Sequence, residues 1–428
     1  SSTGAFVVPP GVTLAGAGNA SVLVGLGEMP AVELADGAGG VVRDLRIEVL
    51  GGGLGVRAVT DVVGSGDATI DSVSIVVMRG IGIGAQNRER VVLTNVTLDG
   101  PLDAATAPFA SSSPTETATY GVIALDVGSD TDESSGLRVI GLRVEGFAVA
   151  GVAVDGGRLD WVDDDADTDE PAGDDLDVHT LRGVGIAVFE APATIAGVEL
   201  GDMLAGPGYP GIGIAAVSSP ALHLLAVRID AGAGYGVFAH ETATDVDALE
   251  ARGLGLTAFR VQGGSFDAGD LILESNGGAG VLAVDTTRVE IRTSAIRAQR
   301  DTRIPDELGA TRSMADGVVV LRRSVARPET VIDLVLEDVA LEQNERSGLL
   351  IDAGGTAPAR ISCTAVRASA SGAAFGVIAQ DTILPADWQM GVTREDAAIA
   401  NDAAFAGGGL DVAGIIMPPA LMARPASL

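Results

Sequence analysis

A short pattern recurs along the chain: glycine, an aliphatic residue, a variable residue, then a second aliphatic or alanine. It reads Gly55-Val56-Arg57-Ala58 and Gly121-Val122-Ile123-Ala124, and returns at Gly82, Gly151, Gly185, Gly213, Gly236, Gly255, Gly280, Gly317, Gly348, Gly376 and Gly409. These thirteen anchors recur with a mean period of about 30 residues. Between them lies a second alternating segment, as in Asp44-Leu45-Arg46-Ile47, Ser72-Val73-Ser74-Ile75, Asn95-Val96-Thr97-Leu98 and Gly141-Leu142-Arg143-Val144. Period-two alternation over so few residues predicts short strands, because a helix repeats its apolar face every 3.6 residues. Such strands bury nothing alone and become stable when successive turns stack on one aliphatic core. The prediction is an all-β solenoid of about 13 coils with loop insertions.

The anchor repeat resembles the right-handed parallel β-helix superfamily of pectate lyases, polygalacturonases and phage tailspikes, as does the opening run Val8-Pro9-Pro10-Gly11-Val12-Thr13-Leu14-Ala15-Gly16-Ala17-Gly18. The resemblance spans the whole chain and implies one domain over 1–428: an N-terminal coil or cap over 1–40, stacked coils over 41–412 and a C-terminal tail or cap over 413–428. It implies the fold, and leaves enzyme, adhesin and passive surface protein open. The asparagine ladders common at coil corners in that family are sparse here, so the corners are expected to rely on glycine.

Alternation also assigns faces. If the first aliphatic after each anchor points inward, the next residue points out. Those outward positions are mostly apolar, among them Ile123, Phe238, Leu282, Val319, Leu350 and Ile378, whereas the second strands present Arg46, Ser74, Thr97, Arg143, Glu199 and Arg228. A continuous exposed apolar sheet face marks an interaction surface, the alternative being that its alanines and valines tolerate exposure. It is expected to be covered by a second copy of the chain, by a surface partner, or by the C-terminal segment Ile415-Ile416-Met417 through Leu421-Met422.

Coils longer than the mean extrude loops, and three stand out. The interval Gly82–Gly121 carries a polar loop. The interval Gly151–Gly185 carries Asp163, Asp165, Asp167 and Asp169, whose alternate carboxylates suit a calcium loop. The EF-hand pattern is not met, because Thr168 and Asp174 stand at its glycine and glutamate positions; a Ca²⁺ site and a solvated acidic loop both remain open. The interval Gly280–Gly317 carries Arg297, Arg300, Arg303 and Arg312, a set suited to bidentate grip on an anionic glycan or, beside Asp301, Asp306 and Glu307, to ion pairing. Arg303-Ile304-Pro305 also resembles the start of the pectate-lyase Arg-x-Pro-x-x-Arg motif, which implies Arg303 as a proton-abstracting base, with Arg300 beside it; the closing position is Leu308. His240, followed by Glu241, is an acid–base candidate at a strand end. The motif set of polygalacturonases is absent.

Composition narrows the function further. The chain has 428 residues, 27 basic against 58 acidic side chains, and a net charge of −31. Every basic residue is arginine, which excludes lysine chemistry, and the acidic balance argues against a nucleic-acid partner. Cys363 is the single cysteine, so no intrachain disulfide forms, and it reads as a small buried hydrophobe. No apolar run reaches the roughly 18 residues of a membrane span. An acidic, lysine-free chain opening on Ser1 is expected to be exported with its leader removed, to the extracellular space or the cell surface. The resulting expectation is a non-catalytic structural or interaction module that self-associates or binds glycan and needs no cofactor beyond the calcium considered above. The alternative is a lyase or hydrolase acting on an acidic polysaccharide through the arginine-rich insertion.

Overall fold

The alternating segments pair in parallel, register for register. A computed structural model describes residues 4–37, 39–101, 118–162, 177–205, 210–305, 311–322, 333–356, 360–370, 375–382, 392–394, 398–400, 424 and 428. The chain divides into two compact units, Ser1–Ala221 with Ala420–Leu428, and Leu222–Pro419. Each is a right-handed parallel β-helix. Among the described residues there is no helix, and so none long and apolar enough to cross a membrane.

In the first unit one sheet runs through Phe6–Val8, Val32–Leu34, Leu54–Val59, Gly80–Gln86, Ala118–Val127, Ala150–Gly157, Val184–Phe189 and Ile212–Val217. The second sheet stacks longer strands, including Gly40–Val49, Asp67–Val77, Arg90–Asp99 and Gly136–Glu145. The second unit repeats the arrangement. Its first sheet holds Tyr235–His240, Phe259–Gln262, Gly278–Val284, Thr311–Leu321, Ser347–Thr356, Phe375–Thr382 and Ala398–Ala400. Its second sheet holds Leu222–Asp230, Ala243–Arg252, Ser265–Glu274, Arg288–Arg297 and Asp333–Asn344.

The anchor glycines are required by close approach, not by a turn. A β-carbon at Gly82 would stand 2.5 Å from the carbonyl oxygen of Gly121, one at Gly121 2.6 Å from that of Gly151, and one at Gly151 2.7 Å from that of Gly185. Each anchor thus leaves room for the next coil, and its flanking aliphatics fill the interior in rows: Val56, Ile83, Val122, Val152 and Ile186 are wholly buried. Full burial of each such side chain contributes about 1.5–3 kcal/mol.

The structure corrects four readings of the repeat. Gly255 is not an anchor: the first-sheet strand begins three positions later, with Val237 opposite Phe259 and Phe238 opposite Arg260, and Ala258 occupies the anchor place above Gly236. The mean period conceals a shorter rung, because Val237, Phe259 and Val281 follow one another at 22 residues and the longer coils carry excursions. Among the described residues, which leave out the anchor Gly409, the first sheet has eight strands in one unit and seven in the other, and Phe6–Val8 and Val32–Leu34 form rungs without an anchor glycine. The corners do not rely on glycine alone. Asp44, Ser72 and Asn95, register neighbours at mid-strand, adopt φ of 56°, 55° and 49°. These left-handed residues fold each long strand into two short ones. Elsewhere three fully buried amides, Asn276, Gln299 and Asn344, satisfy corner backbone groups. Asn276 Nδ2 donates to Ala251 O at 3.0 Å, Gln299 Nε2 to Leu273 O at 2.8 Å, and Asn344 Nδ2 to Ile296 O at 3.3 Å.

Candidate functional site

The outward row of the first sheet is closed within the chain. Ile123, Phe238, Leu282, Val319, Leu350 and Ile378 are each 3 % exposed or less. In the second unit Leu282, Val319, Leu350 and Ile378 pack in one cluster with Ala279, Val284, Met314 and Leu321. In the first unit Ile123 packs with Ile81 and Leu125 against Tyr120, Leu54 and the chain's last residue, Leu428. The six are therefore core residues of a single copy, and at Ile123 part of the cover comes from Leu428. The displaced anchor at Gly255 adds a cation to this face: Arg260 lies buried with its guanidinium carbon 5.8 Å from the Tyr235 ring centroid. His240 stacks on Phe238, ring centroids 6.3 Å apart, and its Nδ1 is buried without a hydrogen-bond partner among the described residues.

The arginine-rich insertion is disposed as a hairpin. Thr302–Pro305 pairs antiparallel with Thr311–Leu321, which sets Arg303 opposite Ser313 and Ile304 opposite Arg312. Arg297 pairs with Glu274 at 3.5 Å, and Arg300 donates from Nε to Ser275 O at 2.9 Å. The side chains of Arg303 and Arg312 lie outside the described residues, as do Asp163, Asp165, Asp167 and Asp169. Among the described residues no group of His, Cys, Asp or Glu is placed to hold a metal ion.

The second sheet keeps its outer face wet, as alternation requires, with ion pairs repeated from coil to coil. Arg90 reaches Asp67 at 2.5 Å and Arg292 reaches Asp267 at 2.9 Å, each across to the preceding coil. Glu199 departs from the expected exposure and is buried, because Asp177 of the preceding coil lies beside it and accepts its backbone N–H at 2.9 Å.

On this wet face three coils bring titratable groups into one column. Asp99 is the register partner of Glu145, and Glu145 of His179. Parallel neighbours stand about 4.8 Å apart, so the three side chains lie side by side. His179 Nε2 is 3.3 Å from Glu145 Oε2, and Arg143 Nη2 is 3.8 Å from the same oxygen and 3.4 Å from His179 Nε2. Half-buried Asp99 is held above the ordinary carboxylate range, first by burial and then by the like charge of Glu145. Arg143, Arg46 and His179 oppose that rise more weakly. The sequence carried the signal unused, since Asp99 and Glu145 each follow an aligned segment, Asn95–Leu98 and Gly141–Val144.

No protein-family model and no curated protein sequence matches the chain. Among solved structures, two catalytic domains of a GH87 α-1,3-glucanase in complex with nigerose, one an alanine variant, are similar. The variant has a TM-score of 0.37 and 11 % identity over 88 % of this chain and 64 % of its own. The other has a TM-score of 0.28 and 11 % identity over 93 % and 63 %. The chain thus spans less than two thirds of the length of those structures, and its fold rests on its own strand pairings.

Proposed function

We propose that this is an extracellular or cell-surface β-helix that engages carbohydrate on the outer face of the second sheet of its first unit. The observation that carries the reading is the Asp99–Glu145–His179 column with Arg143. It sets acceptors and charged donors in line across three coils on a wetted, strand-built surface, where a hydroxyl-rich chain can cross the rungs and bond to each. Strand-borne side chains hold such a set more firmly than loops do. The buried first-sheet face, with its closed aliphatic row, serves the core.

A second reading, hydrolysis, is favoured by two carboxyl groups set side by side on adjacent coils, with burial raising the pKa of Asp99 and with Arg143 and His179 facing Glu145. Asp99 would give its proton to the glycosidic oxygen as the bond to the anomeric carbon breaks. Glu145 would attack that carbon and then yield to water activated by Asp99, the retaining course open to closely spaced carboxyls.

The test uses the full chain with neutral and acidic polysaccharides, measuring depletion of protein by each polymer together with release of reducing ends. Binding that falls at least tenfold in Glu145→Gln and Arg143→Ala, with unchanged circular dichroism, supports the site. Release of reducing ends that disappears in Asp99→Asn while binding persists selects hydrolysis. A wild-type chain that binds none of the polymers overturns both.

A further inference from the structure

Two strands of the first unit, Gly40–Val49 and Gly136–Glu145, carry the same outward pair of charges. After a bend residue of positive φ, Asp44 in one and Gly141 in the other, each reads leucine, arginine, aliphatic, glutamate: Leu45-Arg46-Ile47-Glu48 and Leu142-Arg143-Val144-Glu145. Alternation turns Leu45, Ile47, Leu142 and Val144 inward, where all four are buried, and leaves the charged residues outside. Arg46 stands 3.1 Å from Glu48, and Arg143 3.8 Å from Glu145. Register places both pairs on the same two columns. Arg46, Ser74, Thr97 and Arg143 are successive partners in one, and Glu48, Val76, Asp99 and Glu145 in the other. Three rungs therefore separate the pairs, a distance of about 14 Å.

The columns are bounded on one side and uncharged at their centre. One coil before Arg46 they turn apolar, with Val22 beside Arg46 and Val24 beside Glu48, both exposed. Between the two arginines stand only the hydroxyls of Ser74 and Thr97. The second unit is arranged differently: Arg252, Glu274 and Arg297 are successive partners, and both arginines reach Glu274, at 3.8 and 3.5 Å, so neighbouring coils neutralise one another. Each pair of the first unit sets a guanidinium donor beside a carboxylate acceptor. The vicinal hydroxyls of a sugar satisfy both at once, one donating to the carboxylate while its neighbour accepts from the guanidinium. The face also holds three carboxylates, Glu48, Asp99 and Glu145, against the two guanidiniums, a balance that repels an anionic polymer.

We propose that the Arg46–Glu48 and Arg143–Glu145 pairs grip one neutral, linear glycan at two points as it runs along the solenoid axis, with Ser74 and Thr97 bonding the sugars between them. The inference rests on the carbohydrate reading and adds the class of polymer, its direction and a second point of contact. A sugar unit of an extended glycan is about as long as a rung is high, so a disaccharide reaches one pair and a longer chain reaches both. Two weak contacts joined through one chain multiply their affinities, because the second forms at high effective concentration. Side chains borne on paired strands hold the spacing that this requires.

The experiment uses the full chain as wild type, Arg46→Ala and Arg143→Ala. The probes are neutral glucan and mannan polymers with their oligosaccharides from disaccharide to octasaccharide, and polygalacturonate as the anionic counterpart. Calorimetric titration reads affinity, and circular dichroism with the urea midpoint reports the fold. Wild type should bind the octasaccharide of a recognised polymer at least tenfold more tightly than its disaccharide, and should leave polygalacturonate free. Arg46→Ala and Arg143→Ala should each lower octasaccharide affinity at least tenfold, to the level of the disaccharide on wild type, with the fold unchanged. Disaccharide and octasaccharide binding equally well overturns the two-point grip, as does preference for polygalacturonate. Loss of octasaccharide binding in Arg143→Ala with none in Arg46→Ala also overturns it while the carbohydrate reading stands. A wild type that binds no polymer fails the carbohydrate reading itself, and this inference with it.

Discussion

Arg88 Nη2 donates to the carbonyl oxygen of Leu34 at 2.8 Å, reaching back 54 positions and across two coils. The same wholly buried guanidinium also bonds Ala35 O at 3.0 Å, Gly37 O at 2.9 Å and, more loosely, Ala58 O and Val59 O at 3.4 Å. Burial lowers its pKa while the charges of Asp36 and Asp67 oppose the shift, and an arginine stays protonated. One side chain therefore pins three successive rungs through their backbone. Arg88→Met is expected to cost about 3 kcal/mol, since hydrogen bonds from a charged donor contribute about 1.5–3 kcal/mol each and are not additive. Arg88→Lys should recover little, because one ammonium cannot copy the fork. Urea unfolding midpoints at unchanged slope measure both.

The anchor glycines give a paired test of packing. At Gly185 an added β-carbon would meet Gly213 O at 2.5 Å and Leu200 Cδ2 at 2.8 Å, whereas at Gly269 nothing lies within 4 Å. Gly185→Ala should destabilise by about 2 kcal/mol through overpacking. Gly269→Ala should stabilise by about 0.5 kcal/mol through the unfolded chain. Equal effects at the two sites would remove the close-approach account of the repeat.

Thr293 takes φ of 47° at the mid-strand bend, a region hostile to a β-branched residue. Thr293→Asn is expected to raise stability by about 0.5–1 kcal/mol, because asparagine tolerates the left-handed conformation. Thermal unfolding of the two proteins side by side decides it.

Asp99 sets a pH dependence of known sign. Its folded pKa is raised above its ordinary value, so the native state holds that proton more tightly than the unfolded chain does. Stability contributed here is complete below the unfolded pKa and declines as pH rises through the raised folded value. Asp99→Asn should therefore gain on wild type as pH climbs from 3 toward neutrality and lose that advantage in acid. Chemical unfolding at pH 3 and pH 7 reads the difference.

Burial pushes the Cys363 thiol up to about 11. At pH 8 its reaction with a thiol reagent should be slower in the folded protein than in denaturant by roughly a few hundredfold, the loss of thiolate. Comparable rates in both states would place the sulfur in solvent.

Much of this was readable along the chain. Val122 and Ala124 alternate inward because a strand has period two, and the anchor at Gly121 repeats because every rung meets the same neighbour. Where a rung breaks the rule, as at Ala258, the eye settles on the wrong glycine, Gly255, since alanine fills the same place without announcing it. Arg88 was invisible because its partners are backbone carbonyls, which have no identity in a sequence. The Asp99–Glu145 pair was legible in principle, through the alignment of the second strands, whereas its protonation depends on how deeply the coil buries it.

The sequence by itself determined the parallel coils, the aliphatic interior and the wetted second sheet, because each follows from local periodicity repeated. The tertiary structure alone decided what covers the apolar row and which charges meet. Arg424 finds Asp155 across 269 positions, and Leu428 fills the place Gly84 leaves empty. Contacts between distant segments depend on the lengths of all the rungs between them, and no local pattern encodes that total.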